Sequence, residues 1–387
     1  MATQTALASP EHNLMERLTI FFTSRLGVII VGGLIGFLAV FLQNQGNPPN
    51  MGLCMACFER DIAGAIGLHR VSAVQYIRPE IIALVLGAMI SALLFNEFRA
   101  RAGSAPIVRF LLGVFAMIGA LTFLGCPWRT MLRLSAGDLN AFVGLLGLIV
   151  GIVAGGWFLK KGYTLGDSRQ TPAVVGMIMP SIMLLLLVFL VLRPQFYDDG
   201  PIFFSQSGPG SLHAPVLLSL GVGLLIGFMA QRTHFCTVGP IRNAIFKREM
   251  RMFNGIVALV VVAFLTNVAF GQFKVGFELQ PIAHSNHLWN FLGMVLSGLA
   301  YSLAGGCPGR QLFLSGEGDG DAAVFVLGMI VGAGIVHNFA LAGVPDALNN
   351  AGELIVGGPN AYGQLAVILG LVVCIVLGFT MRARHQT

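Results

Sequence analysis

Gly306-Cys307-Pro308-Gly309-Arg310 closes one long apolar run and is followed, after a few polar residues, by another. The same frame occurs earlier as Gly125-Cys126-Pro127-Trp128-Arg129. At the same offset of 181 positions (Cys126 to Cys307), Asp138 falls on Asp319. A cysteine, a helix-breaking proline and an arginine are costly inside apolar sequence unless they line something wet or bind something. The repeated element therefore predicts a scaffold that holds such groups near the middle of a membrane.

The composition around it agrees. Of 387 residues 56% are hydrophobic and only 10% charged, and the mean hydropathy is +0.81. That leaves too little polar surface to cover a water-soluble globule of this size. Runs of about 20 apolar residues match a hydrocarbon core of about 30 Å and favour helices over a barrel of short alternating strands. The 50 glycines suit close helix packing. The polar start up to Glu16 has no apolar core ending in a small-residue cleavage site, so no signal peptide is expected. A net charge of +6 is explained by basic loops that set orientation, without nucleic acid. Six cysteines in so long a chain do not make a disulfide framework.

Ten spans are placed at about residues 25–43, 79–98, 106–124, 138–159, 172–192, 213–231, 252–273, 288–305, 319–341 and 361–381. The stretches 51–69 and 126–137 are too short or too polar to span and too apolar for ordinary loops, so they are predicted as short re-entrant helices; 233–247 and 307–316 are their counterparts. Cys54 precedes Arg60 by six positions, as Cys236 precedes Arg242. The duplication is thus supported twice, once per short element. Five spans per half turn the second copy upside down, the inverted-repeat plan of many transporters, with the site at the interface of the halves. The expectation is an all-α polytopic membrane protein. It has an N-terminal segment 1–24, a first repeat 25–193, an outer linker 194–212, a second repeat 213–381 and a tail 382–387. All but seven of the 23 basic residues (Arg60, Arg70, Arg78, Arg129, Arg133, Arg193 and Lys274) fall on the side that holds both termini. Asp198, Asp199, Asp346 and Glu353 fall on the other. Both termini are therefore expected in the cytoplasm.

In this arrangement Cys54, Cys126, Cys236 and Cys307 converge on one central constriction. A thiol is small and polarisable and both donates and accepts weak hydrogen bonds, so it can contact a soft sulfur or selenium atom. The plainer reading, a cysteine as a small apolar packer, suits Cys374, which has no motif around it. Cys54 and Cys57 form a C-x-x-C, a weak signal open to an accessory thiol or a dithiol redox role, and no further ligands follow at zinc spacing. Arg60, Arg129, Arg242 and Arg310 can attract an oxoanion, or can serve as topology charges and partners of Asp61, Asp138 and Asp319. His234, two residues before Cys236, is a candidate switch or proton acceptor. His337, Asn338 and Asn267 lie inside spans, where interhelical hydrogen bonding is the simpler account. Met51, Met55 and Met294 either line a path or fill gaps.

Thr233-His234-Phe235-Cys236-Thr237-Val238-Gly239-Pro240 with Arg242-Asn243, together with Gly305-Gly306-Cys307-Pro308-Gly309-Arg310, resembles the YeeE/YedE family of bacterial inner-membrane proteins, over about residues 25–381. The resemblance implies a sulfur-compound transporter of the thiosulfate class that passes its solute between Cys54, Cys126, Cys236 and Cys307. It also implies a cytoplasmic sulfur-carrier protein as partner. The Cys-Pro-Trp-Arg element and the C-x-x-C resemble the YedE subgroup linked to selenium metabolism, which admits a selenium solute. No nucleotide-binding motif is present, and neither enzyme activity nor a cofactor is expected. Two rivals stand beside this reading: a membrane thiol oxidoreductase using Cys54 and Cys57, and a metal transporter, the latter weakened by the lack of paired histidines or acids at membrane depth.

Overall fold

The computed structural model describes residues 14–197 and 200–382. Residues 1–13, Asp198, Asp199 and the tail 383–387 with Arg384 lie outside the described residues, so the outer acidic pair and the final basic charge of the sequence reading are not placed.

The described chain is mostly helical, with three short two-stranded antiparallel ladders in its loops. After α1 (Leu14–Thr23), the first repeat runs α2 (Arg25–Asn44), α3 (Met55–Ala65), α4 (Pro79–Leu94), α5 (Pro106–Phe123), α6 (Pro127–Ser135), α7 (Asn140–Lys160), α8 (Ala173–Gly176) and α9 (Ile178–Leu192). The second runs α10 (Val216–Thr233), α11 (Val238–Lys247), α12 (Arg251–Ala269), α13 (His287–Ala304), α14 (Pro308–Gly316), α15 (Gly320–Asn338) and α16 (Ala361–Thr380). Eight helical stretches among the described residues are long and apolar enough to cross a bilayer, and the shorter apolar helices Ile178–Leu192 and Phe253–Ala269 occupy the two remaining expected positions. Several boundaries differ, with the seventh span ending at Ala269 rather than 273 and the ninth at Asn338 rather than 341. The second span stops at Leu94 rather than 98, because Asn96 takes a left-handed φ of 56° and the Glu97 amide turns back to the Ala92 carbonyl. The fifth is broken at Met177 between α8 and α9.

Hydrogen bonds between loops fix the direction of each helix. The start of α12 meets the end of α1 through Arg251 and Thr23. The end of α10 meets the loop after α4 through Arg232 and Glu97. The end of α14 meets the same loop through Glu317 and Arg99, and the loop after α7 meets Met381. These contacts define face I. On face II, the end of α2 meets the start of α10 through Asn47 and Ala214, and Leu139 before α7 bonds Gly276 before α13. Helices α2 and α10 therefore run in opposite senses, as do α4 and α12, α5 and α13, α7 and α15, and α9 and α16. The halves are inverted, and both ends of the described chain lie on face I.

Neither half packs as a separate unit. The most extensive contacts are α13 with α7, α10 with α4, α12 with α2 and α15 with α5, so each of these helices lies along a partner from the other repeat. Without a hydrophobic force between helices in lipid, such contacts depend on close approach of small residues. A Cβ at Gly119 of α5 would stand 2.3 Å from the Gly293 carbonyl of α13, so only glycine permits that crossing.

Candidate functional site

Each of the four repeated cysteines stands at the start of a short helix. Cys54, Cys126 and Cys307 are the N-cap residues of α3, α6 and α14, and Cys236 lies two residues before α11. Proline at the first position of α6 and α14 lacks only an amide that would have no helical partner there. Three thiols accept from the first free amides of their helices: Cys54 from Cys57 at 3.4 Å, Cys236 from Gly239 at 3.5 Å and Cys307 from Arg310 at 3.5 Å. The exposed amides and the dipole give each such end a partial positive charge, a favourable place for an anion.

The thiols meet in two pairs. Cys54 Sγ lies 3.8 Å from Cys126 Sγ, and Cys236 Sγ lies 3.6 Å from Cys307 Sγ. The first pair belongs to helices that end on face II, where Ala65 bonds Phe203 and Ala136 bonds Lys274; the second belongs to helices that end on face I. The single constriction expected from the sequence is therefore resolved into two thiol pairs, one from each repeat. An aromatic cluster joins them. Trp128, two residues past Cys126, packs edge-on against Phe235, the neighbour of Cys236, with ring centroids 5.4 Å apart, and lies 6.1 Å from Phe313 of α14. Cys54, Cys126 and Cys307 are fully buried; Cys236 retains 8% exposure.

A cavity leads toward each pair. On face II, about 890 Å³ is lined by Arg60, Leu124, Ile282, Asn286, His337 and Val344, among others. One of its lining residues, Leu124, stands two positions before Cys126, and its carbonyl lies 3.9 Å from Cys57 Sγ. On face I, about 280 Å³ is lined by Glu97, Arg99, Arg101, His234, Arg310 and Glu317. The three arginines outnumber the two acids there, so the cavity favours anions. Burial raises the Glu317 carboxyl above its ordinary value even though Arg310 and Arg101 oppose the shift. For Glu97, burial acts in the same direction but is outweighed by hydrogen bonds from Gln231 and Arg232, which hold it below the ordinary value.

The candidate arginines separate. Arg60 lines the face II cavity while bonded to Asp61 at 2.7 Å, and Arg78 holds the other Asp61 oxygen. Arg310 lines the face I cavity, bonded to Glu317 at 3.1 Å. Arg129 is fully buried and donates to the carbonyls of Asn50, Leu124, Pro281 and Ile282 and, at 3.6 Å, to Cys57 Sγ. Arg242 lies on α11, partly exposed, outside both cavities.

Two expected ion pairs are corrected. Asp138 binds Arg133 at 2.6 Å rather than Arg129, because Arg133 sits near the end of α6, beside Asp138, whereas Arg129 is turned toward the carbonyls. Asp319 binds Arg101 at 2.8 Å rather than Arg310, which reaches Glu317 about two turns past its own position. The repeated aspartate instead starts the next helix: Asp319 accepts from the Ala322 amide and Asp138 from that of Asn140. Cys57 and Cys54 are free thiols. His234 takes a left-handed φ of 52° at the end of α10 and lines the face I cavity. Asn267 makes the interhelical bond expected of it, to Ser135 Oγ of α6, whereas Asn338 donates to the Leu68 carbonyl in the loop after α3, and His337 stacks on His69 at 4.6 Å. Met51, Met55 and Met294 are buried in the core. Among the described residues no cluster of three metal-ligating side chains occurs.

Two groups went unread in the sequence. Glu59, two residues past Cys57, is fully buried, and both its oxygens lack a hydrogen-bond partner among the described residues. Tyr301 of α13 is likewise fully buried with an unpartnered hydroxyl. An acid inside a stretch read as membrane-embedded was the available signal for Glu59; nothing local marked Tyr301.

Fold and site together define a polytopic helical membrane protein of inverted-repeat design, with paired thiols between two cavities that open on opposite faces. Residues 232–387 match the family described as sulphur transport. The thiosulfate transporter TsuA of Escherichia coli (strain K12) is 29% identical over 103 residues, 27% of this chain and 29% of that relative.

Proposed function

We propose that the protein carries a small sulfur anion of the thiosulfate class, or its selenium analogue, across the bacterial inner membrane by way of the two thiol pairs. The observation that carries this reading is the placement of Cys54 with Cys126 and Cys236 with Cys307, at the positive ends of short helices from opposite faces, between two arginine-lined cavities. An anion stripped of water needs compensation at every step. Arg60 and Arg310 attract it at the two mouths, the free amides of the short helices stabilise its charge inside, and thiol hydrogens contact its soft terminal sulfur. With three of the four thiols fully buried, the state described is closed, and the solute advances as side chains around Trp128 shift. Face I is assigned to the cytoplasm because most of the basic residues lie there. The name of the thiosulfate transporter relative supports the substrate class, and a cytoplasmic sulfur-carrier protein would receive the solute at face I.

Uptake of labelled thiosulfate, selenite and selenide tests this reading in cells lacking their own uptake system. Wild type is compared with Cys126→Ala, Cys236→Ala and Cys307→Ala. Loss of uptake of about tenfold or more in each variant is expected, since each removes a contact needed for passage. Uptake that survives all three substitutions rules out the thiol relay, and a redox-active disulfide between Cys54 and Cys57 without solute uptake favours the oxidoreductase.

A further inference from the structure

We infer that Glu59 is a proton-binding residue that couples anion passage through the first thiol pair to the movement of one proton in the same direction. This rests on the transport reading and adds its driving force.

Among the described residues the other carboxyls near the core are all held. Asp61 is bonded by Arg60 and Arg78, Asp138 by Arg133, and Asp321 by the amides of Gly103 and Ser104. Glu80 accepts from Asn47 and Ser219. Glu59 alone has neither a cation nor a donor on either oxygen. A buried carboxylate in that condition is far costlier than the neutral acid, and an intramembrane ionisable residue without a structural partner is a functional one by default.

The place suits the role. Glu59 lies on α3, the short helix that begins at Cys54 and carries Arg60, which lines the face II cavity. Tyr301 of α13, fully buried with a hydroxyl that lacks a partner among the described residues, is a group able to take up and release a proton.

The charged and titratable groups around Glu59 are fixed. On α3 these are Cys54, Cys57, Arg60 and Asp61. The start of α4 brings Arg78, bound to Asp61, and the loop after α3 brings His69, whose Nε2 meets the Arg60 carbonyl at 3.1 Å. Helix α6 brings Cys126 and Arg129, α13 Tyr301, and α14 Cys307 and Arg310. Helix α15, which packs along α3, has Asp321 and His337 at its opposite ends, α5 carries Arg109 near its start, and α4 carries Glu80, held by Asn47 and Ser219. None of these cations bonds Glu59.

In the cycle, the carboxylate takes a proton from water in the face II cavity as the anion enters, and the neutral acid stands beside the anion at the first pair. The proton then leaves to water in the face I cavity as the anion departs, which restores the carboxylate. One proton crosses per anion, and no bond other than O–H is made or broken.

The test is uptake of labelled thiosulfate by proteoliposomes holding the full-length protein, with and without an imposed pH gradient, acid on the face II side. The readout is the ratio of the two accumulations. One proton per anion makes that ratio rise by about tenfold per pH unit for the wild type. Glu59→Gln, which keeps the shape of the neutral acid, is expected to give a ratio near one, and Glu59→Asp a gradient response shifted along the pH axis. A Gln variant with the wild-type ratio, or a wild type that exchanges thiosulfate with no response to the gradient, overturns the assignment of Glu59 alone. A wild type that exchanges no labelled thiosulfate at all overturns the transport reading beneath it.

Discussion

Trp128 lies against Gly309, the residue that holds its own position in the other repeat: a methyl group added at Gly309 would stand 3.0 Å from the indole nitrogen. Two inverted copies meet themselves at the axis that relates them, so a large side chain there in one half requires a small one in the other. The indole packs with Phe235, the neighbour of Cys236, and with Phe313 of α14. Gly309→Ala forces the indole to shift, and thiosulfate uptake is expected to fall with a modest loss of thermal stability. Trp128→Ala should cost about 3–5 kcal/mol in stability. The double variant removes the clash, so its uptake should fall by less than the two single effects combined; strictly additive effects would show that the two positions are not coupled.

Burial orders the thiols by reactivity. Cys236 keeps 8% exposure beside the face I cavity while Cys54, Cys126 and Cys307 are fully buried. A small maleimide applied to the purified protein should modify Cys236 first, and thiosulfate should slow that modification if the thiol lies on its path. Mass mapping of the labelled peptides decides the matter: first modification at Cys54 or Cys126 contradicts the closed arrangement.

The repeat and the inversion were readable because they reside in local marks: Cys-Pro pairs, cysteine-to-arginine spacing, and apolar runs of bilayer length. The partners of the charges were not. Arg129 and Arg133 lie one helical turn apart, and only the packed chain shows that Arg129 turns to the carbonyls of Leu124 and Ile282 while Arg133 takes Asp138. The pairing of thiols within each repeat was also hidden, since Cys54 and Cys126 are brought together by the fold across 72 positions. Tyr301 stands in an ordinary apolar helix, and only the packed chain shows its hydroxyl buried without a partner among the described residues.

The two repeated aspartates occupy one motif position but differ in surroundings. Asp138 and Arg133 are both fully buried, whereas Arg101, the partner of Asp319, is 39% exposed. Asp138→Asn strands a guanidinium in the interior and should cost about 3–5 kcal/mol. Asp319→Asn leaves an arginine that water can reach and should cost about 1 kcal/mol or less from the ion pair. Detergent thermal unfolding of the two variants gives the comparison, and equal losses would mean that the helix-start role common to both aspartates outweighs their charge.

The face I cavity should respond to acid through Glu317. Burial raises its carboxyl, so as pH falls from neutral this group takes up its proton before an ordinary glutamate does. Protonation removes the negative charge 3.1 Å from Arg310 and leaves the cavity more positive. The sign follows directly: binding of thiosulfate from face I should strengthen as pH falls through the raised value and weaken above it. The same proton is held by the folded chain to higher pH than by the unfolded one, so its contribution to stability is present at acid pH and lost as pH rises through that value. Glu317→Gln fixes the neutral state and should abolish this part of the pH dependence while keeping the stronger binding. Titrating thiosulfate affinity against pH in inside-out vesicles measures both arms, and an unchanged pH slope in the Gln variant would transfer the effect to another group at that mouth.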